Sequence, residues 1–330
     1  MTDAQSSSRA RHTAVTVVAS AVGVALLVWQ MRQVGLAPIR ADLAAVGYGF
    51  LAILFLSLLR FIVRSAAWTT LIGERVPLSS ALAATIGGDA LGNITPLSLL
   101  VSEPAKAMYL GGRVSTAQAL AALTAENFFY SVSVAIYIVL GTAALLLAFP
   151  LDPGVRWAGV IALVGMAAVL GVAGWLAWQK PSIASSLLAR IPFAHLDTVV
   201  ERVRDFEMRT YGSVGQQTGR LGVVVACEAA FHVLSFAESW ITLWLLTGLS
   251  LPLEAFVLDT FSRVSNIVFR VVPLRLGVDQ VLSDVVAQAI GLLAGIGTTL
   301  SLVRTGRVLV WAVVGMALLL RRGMRRTRRS

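Results

Sequence analysis

Charge is what this chain has least of. Only 13% of its 330 residues are Asp, Glu, Lys or Arg, about half the share usual in soluble domains. So few charges cannot cover the surface of a water-soluble protein of this size, whereas a surface facing lipid needs none. Cysteine is almost absent too. The one cysteine, Cys227, leaves no intramolecular disulfide and no thiolate metal cluster. Histidine numbers three, and no HExxH pattern or Walker A loop occurs, so no metal site, no cofactor and no ATP chemistry is expected. What fills the chain instead is apolar: 57% of it is hydrophobic, with a mean hydropathy of +0.80. These proportions specify an integral membrane protein and exclude a disordered one.

A bilayer core of about 30 Å takes roughly 20 apolar residues in a helix. Six stretches meet that need: Thr13–Trp29, Tyr48–Leu71, Thr116–Phe149, Val155–Trp178, Leu221–Leu249 and Val303–Leu320. The first follows Arg9 and Arg11 in signal-peptide fashion, but it is long for a signal core and no small-x-small site follows, so it is read as a retained span. Residues 1–12 then form a short cytoplasmic segment and 13–320 a single transmembrane domain. Between Lys180 and Arg220 lies the only sizeable polar segment. Its run Val199–Thr210 suits either a helix at the membrane interface or a solvated linker.

Two further segments are apolar enough for the membrane and yet broken. Pro77–Gly112 is interrupted at Asn93 and Pro96, and Pro252–Ala294 at Asn266 and Pro273. Proline removes a helical donor and clashes with the preceding turn. In lipid the freed backbone groups must be satisfied by protein or by a wet cavity. Each segment is therefore expected to be a re-entrant hairpin of two half-helices. The fold expected is all-α and polytopic, with about six spanning helices and two hairpins.

The charges orient this arrangement. Of the 27 basic residues 25 are arginine, and six of them follow Leu320 (Arg321, Arg322, Arg325, Arg326, Arg328 and Arg329). With both termini and the 180–220 linker in the cytoplasm, every basic segment obeys the positive-inside rule. Span, hairpin, span then occurs at 48–149 and again, facing the other way, at 221–320. That is an inverted repeat, the plan of transporters that bind at the midplane where broken elements meet. The tail at 321–330 is suited to anionic lipid headgroups. No folded module accompanies it that would make nucleic acid its partner.

Ionisable side chains inside spans cost roughly 2.5–3.5 kcal/mol or more and normally face a cavity or a partner. Arg60 and Arg64 share a face of the second span and suit a phosphate, or Arg64 snorkels to the interface. Glu103 and Lys106 are three apart beyond the first break, and Glu126 lies deep in an apolar helix. In the second half Asp259 and Arg263 are spaced as a pair, Arg270 and Arg275 flank Pro273, Asp279 follows, and Arg304 and Arg307 lie at the start of the last span. Candidate headgroup ligands are Arg60, Arg64, Asn93, Glu103, Lys106, Glu126, Arg263, Asn266, Arg270, Arg275, Asp279 and Arg304. Glu228 and His232 share a helical face and, with Glu126, are the candidates for proton coupling.

These motifs resemble a known family. Asn-x-x-Pro followed by Ser102-Glu103, Ala119-Leu120 and Glu126 in the first half, and Pro273-Leu-Arg-Leu-Gly277-Val-Asp279 with Arg304 in the second, resemble the transmembrane region of the lysylphosphatidylglycerol synthase and flippase-like proteins, over about residues 12–320. The sequence departs from that pattern with Ser102 for glycine and Asp279 for glutamate. No aminoacyl-transferase domain follows in this sequence. The resemblance implies a protein of the inner membrane that moves a lipid with a phosphate-bearing or amphipathic headgroup (a phospholipid, polyprenyl phosphate or hopanoid-type lipid) between leaflets, and that is no enzyme. The alternatives are a non-transporting member of a lipid-synthesis complex or, less favoured, a lipid-modifying enzyme, which lacks a clustered nucleophile and base here. A second copy of the chain or lipid-synthesis enzymes are the protein partners this reading admits.

Overall fold

A computed structural model describes residues 32, 36–72, 76–95, 98–110, 114–178, 218–269, 275 and 277–327. The first span, Pro96, Arg270, Pro273, nearly all of the 180–220 segment and the last three residues of the tail lie outside the described residues. Ten helices and no strand occur among the described ones: α1 Leu36–Val46, α2 Gly49–Ile72, α3 Leu78–Ile94, α4 Ser98–Tyr109, α5 Thr116–Ala148, α6 Pro153–Trp178, α7 Thr218–Thr247, α8 Pro252–Val268, α9 Val278–Ala289 and α10 Ile296–Thr327.

Length sorts these helices by physical task. Five of them (α2, α5, α6, α7 and α10) are long and apolar enough to cross a bilayer. They correspond to the five expected spans within the described residues. The segment 116–149 is indeed one helix, and its 33 residues would rise about 50 Å, more than the bilayer core, so it tilts or projects. Of the other five, α1 precedes the first of these spans and four come in pairs on either side of the two breaks. α3 and α8 have 17 residues each, and α4 and α9 have 12 each, so none reaches the roughly 20 needed to span.

The outside of the bundle is apolar. Phe55, Leu147, Trp157 and Ile161 are all exposed, a surface that water would penalise and acyl chains accept. Among the described residues α6 has its main packing on α5 and little buried surface of its own, an apolar exterior that suits lipid.

Inside, two four-helix sets build the body: α2 to α5, and α7 to α10. α2 and α7 pack along each other in opposite directions, with Gly49 against Leu245 and Arg60 beside Glu238. α5 of the first set lies on α8 of the second, and α10 of the second lies on α3 of the first. Both crossings are close because glycine stands at each. A Cβ on Gly141 would fall on Thr260, and one on Gly315 would fall on the Ile86 carbonyl and Ala90. Small residues permit such approach where lipid supplies no hydrophobic drive.

Apolar clusters close the two ends. One gathers Trp68, Leu110 and Leu123 where α2 and α4 end and α5 begins. The other gathers Leu145, Leu243, Leu258 and Ile296 at the opposite end of α5 and α7. The antiparallel course of α2 and α7 puts these clusters at opposite faces of the bundle, with the buried charges between them.

The last span starts earlier than the sequence suggests. It begins at Ile296, not Val303, because Asp284 of α9 caps it: its carboxylate accepts from the backbone N–H of Gly295 at 2.7 Å and of Thr298 at 3.4 Å. Arg304 and Arg307 are therefore over two turns inside the helix, and neither snorkels at its start.

Candidate functional site

The charged side chains of the middle layer form two groups. The first belongs to α2–α5. Lys106, 2% exposed, donates to Asp89 at 2.8 Å and to Glu103 at 3.0 Å, and thereby ties the two arms of the first hairpin together. Ser102 Oγ adds a hydrogen bond to Asp89 at 3.2 Å. One helix over, Arg64 donates through Nε to Glu126 and through Nη2 to Asn127, each at 3.0 Å, and lies over the Tyr130 ring. Three carboxylates and two cations pair here, and Glu103 Oε2 is left without a partner among the described residues.

The second group surrounds a cavity of about 70 Å³, room for a handful of water molecules. Its centre is Asp259 on α8. One carboxylate oxygen accepts from Arg263 Nη2 at 3.0 Å and Tyr137 Oη at 2.9 Å, the other from Ser235 and Ser239 at 3.1 and 3.0 Å. Arg304 Nη2 bonds Ser239 Oγ at 3.0 Å and lies 3.7 Å from Asp259. Beside it Glu238 holds two arginines on one oxygen, Arg60 from α2 and Arg307 from α10. Asn93 and Asn266, in the last turns of α3 and α8, both line the cavity, so the two breaks meet there. From the second break Arg275 and Asp279 complete the wall. Arg275 is the one described non-glycine residue with a left-handed backbone, φ 51°, and Gly277 follows at φ 83°. Such strain is maintained only where the surroundings enforce it. Here Gln280 reaches back to the Gly277 N–H and fixes the start of α9.

The balance of charge separates this group from the first. Five arginines (Arg60, Arg263, Arg275, Arg304 and Arg307) and three carboxylates (Glu238, Asp259 and Asp279) line the cavity, a surplus of two positive charges. Buried N–H groups on three of those arginines, Arg60 Nε, Arg263 Nε and Arg304 Nη1, have no acceptor among the described residues. An unmet donor in a low-dielectric site is costly, and an oxyanion would satisfy several at once.

The family model of the lysylphosphatidylglycerol synthase TM region matches residues 16–299. The chain belongs to that family. It is a membrane protein related to lipid handling, as its family suggests. No curated protein and no solved structure matches it. The family match runs from residue 16 into the opening turn of α10, and so includes both broken segments and eleven of the fifteen residues that line the cavity, with Arg304, Thr305, Arg307 and Val308 beyond it.

For a lysylphosphatidylglycerol synthase-type region, the sequence placed the site residues unevenly. Arg60, Asn93, Arg263, Asn266, Arg275, Asp279 and Arg304 all line the cavity. Arg64, Glu103, Lys106 and Glu126 do not; they form the ion-paired group beside it. Glu238 and Arg307, central to the cavity, were not among the candidates. A signal for Glu238 existed. Leu78 and Pro252, which open α3 and α8, are 174 residues apart, and so are Arg64 and Glu238.

Proposed function

We propose that this chain moves a lipid with an anionic, phosphate-bearing headgroup between leaflets of the inner membrane, without covalent chemistry. The headgroup enters the arginine-lined cavity while its chains stay in the surrounding lipid. The observation that carries this reading is the surplus of two guanidinium charges around a buried polar cavity, together with three arginine N–H groups that have no acceptor among the described residues. Apolar clusters at both ends of the bundle favour a chamber reached from one side at a time.

The same reading takes the two helix sets as an inverted repeat. Their lengths correspond, α2 and α7 are antiparallel, and each helix pair packed within or between the sets has its counterpart under exchange of the sets. Two equivalent hairpins facing opposite leaflets supply two equivalent gates. Both termini and the 180–220 linker then lie in the cytoplasm. A membrane-impermeant thiol reagent tests this: cysteines introduced at Ser185 and Ser330 should react only from the cytoplasmic side, and outside labelling of either overturns the repeat.

Transport is tested in proteoliposomes carrying a trace of fluorescent phosphatidylglycerol, with dithionite quenching the outer leaflet. The wild type should expose the inner-leaflet probe. Arg304→Ala removes a charged hydrogen-bonding group worth about 1.5–3 kcal/mol and should slow exchange about tenfold or more. Exchange no faster than in empty vesicles would reject the transport reading.

A further inference from the structure

We infer that Glu228, Ser133 and His232 form a proton-binding site in the wall of the bundle, and that the proton accompanies the anionic headgroup; the second part rests on the lipid-mover reading. Glu228 and His232 lie one turn apart on α7, both buried. Ser133 of α5 stands between them. His232 Nε2 is 2.9 Å from Ser133 Oγ, and Glu228 Oε2 is 3.4 Å from the same atom, a long contact. The serine oxygen is also 2.9 Å from the Tyr130 carbonyl.

Counting hydrogens decides what this trio holds. A serine hydroxyl has one hydrogen and two lone pairs. The serine hydrogen has two acceptors in reach, the Tyr130 carbonyl at 2.9 Å and Glu228 Oε2 at 3.4 Å, and the shorter bond, the ordinary back-bond of a helix, takes it. His232 Nδ1 is buried without a partner among the described residues. An N–H there would go unmet, so the imidazole carries its hydrogen on Nε2 and donates to Ser133. The remaining lone pair of Ser133 faces Glu228. A carboxylate would set lone pair against lone pair; a carboxylic acid donates and closes the count. On release, the Glu228 O–H bond breaks, the proton passes to water, and the Ser133 hydroxyl swings from the Tyr130 carbonyl to the new carboxylate.

This is no hydrolase triad. There the acid holds the far nitrogen of the imidazole, whereas here it contacts the serine and the far nitrogen has no partner.

The charges around Glu228 couple it to the cavity. It faces Glu126 of α5, Arg64 of α2 and Arg263 of α8. His232 on its own helix faces Arg263, Asp259 and Arg60 and stacks on Tyr137, which donates to Asp259. The cations of α10 that meet α7, Arg304 and Arg307, engage Ser239 and Glu238 further along. α1 packs at the distant end of α7, and its Asp42 bonds Thr299. An ionised Glu228 therefore competes with a headgroup anion for Arg263, and protonation removes the competitor. Linkage is reciprocal: the anion favours the proton and the proton favours the anion. Together they cross with less charge to desolvate.

Two measurements test this. Infrared spectra of the protein in nanodiscs at neutral pH should contain a carboxylic-acid carbonyl band that Glu228→Gln removes and Glu126→Gln leaves. In the proteoliposome assay, wild-type exchange of fluorescent phosphatidylglycerol should rise about tenfold from alkaline to mildly acidic pH. Glu228→Gln should hold the acid rate at both. A spectrum without such a band, or with one that persists in Glu228→Gln, overturns the proton site whatever the vesicles do. A pH dependence that survives in Glu228→Gln overturns the coupling. If the band behaves as expected and the wild type exchanges no lipid at any pH, the transport reading fails and the coupling with it, while the proton site stands.

Discussion

The two helix sets share a plan and differ in charge. At corresponding places in the first and second sets, Arg64 of α2 pairs with Glu126 of α5, and Glu238 of α7 pairs with Arg307 of α10. The pair is preserved and its polarity reversed. Around the first pair the acids outnumber the bases and each acid makes an ion pair, with one oxygen of Glu103 left over among the described residues. Around the second the bases outnumber the acids, and some of their N–H groups have no acceptor among the described residues. The first group is held together by its own pairs, whereas the proposed binding site rests on the surplus in the second. The breaks differ in the same sense. Three residues separate α3 from α4, but nine separate α8 from α9, and the second break places Arg275 in a left-handed conformation at the cavity wall.

That contrast can be broken by mutation. The largest effect is expected at Asp259→Asn, which removes the carboxylate facing Arg263 and Arg304. Breaking a buried pair costs about 3–5 kcal/mol, so thermal unfolding in detergent should fall by far more than for Asp89→Asn, where Glu103 still holds Lys106. Equal losses would remove the distinction between the groups. Next comes exchange of polarity in the first set. Arg64→Glu or Glu126→Arg alone should lower yield and thermal stability strongly, and the double exchange should restore most of both, since this pair lies outside the cavity. Failure of the double variant to recover would give Arg64 a role beyond pairing. The packing crossings come third. Gly141→Ala and Gly315→Ala each overfill a close contact, at about 1–3 kcal/mol, and similar shifts in melting temperature are expected if the two crossings are equivalent. The smallest effect belongs to Ser115, whose side chain accepts from the Gln118 N–H at the start of α5. Ser115→Ala should cost about 1 kcal/mol and leave exchange unchanged.

The breaks and spans were legible because their signals are local. Asn and Pro within apolar runs mark the breaks, and the runs themselves mark the helices. The start of α10 was not, since Gly297, Thr298, Thr299 and Ser301 resemble a loop until Asp284, eleven residues before Gly295, caps them. The cavity wall was legible where a charge sat beside a break, as with Arg275 and Asp279. It was illegible where partners come from different helices. Nothing near Glu238 in sequence says that it receives Arg60 from α2 and Arg307 from α10. Likewise the spacing that put Arg64 with Arg60 on one face hid their separation: one turn sends Arg64 to Glu126 and Arg60 to Glu238.

The stoppers at either end of the bundle have a bearing on the cell that makes this protein. Trp68, locked by its indole N–H onto Thr85 at 3.1 Å, and the leucines of the opposite cluster put apolar layers on both sides of the buried charges. Such layers would let the proposed lipid mover sit in an energised membrane at high copy number with little leak of the ion gradients across it.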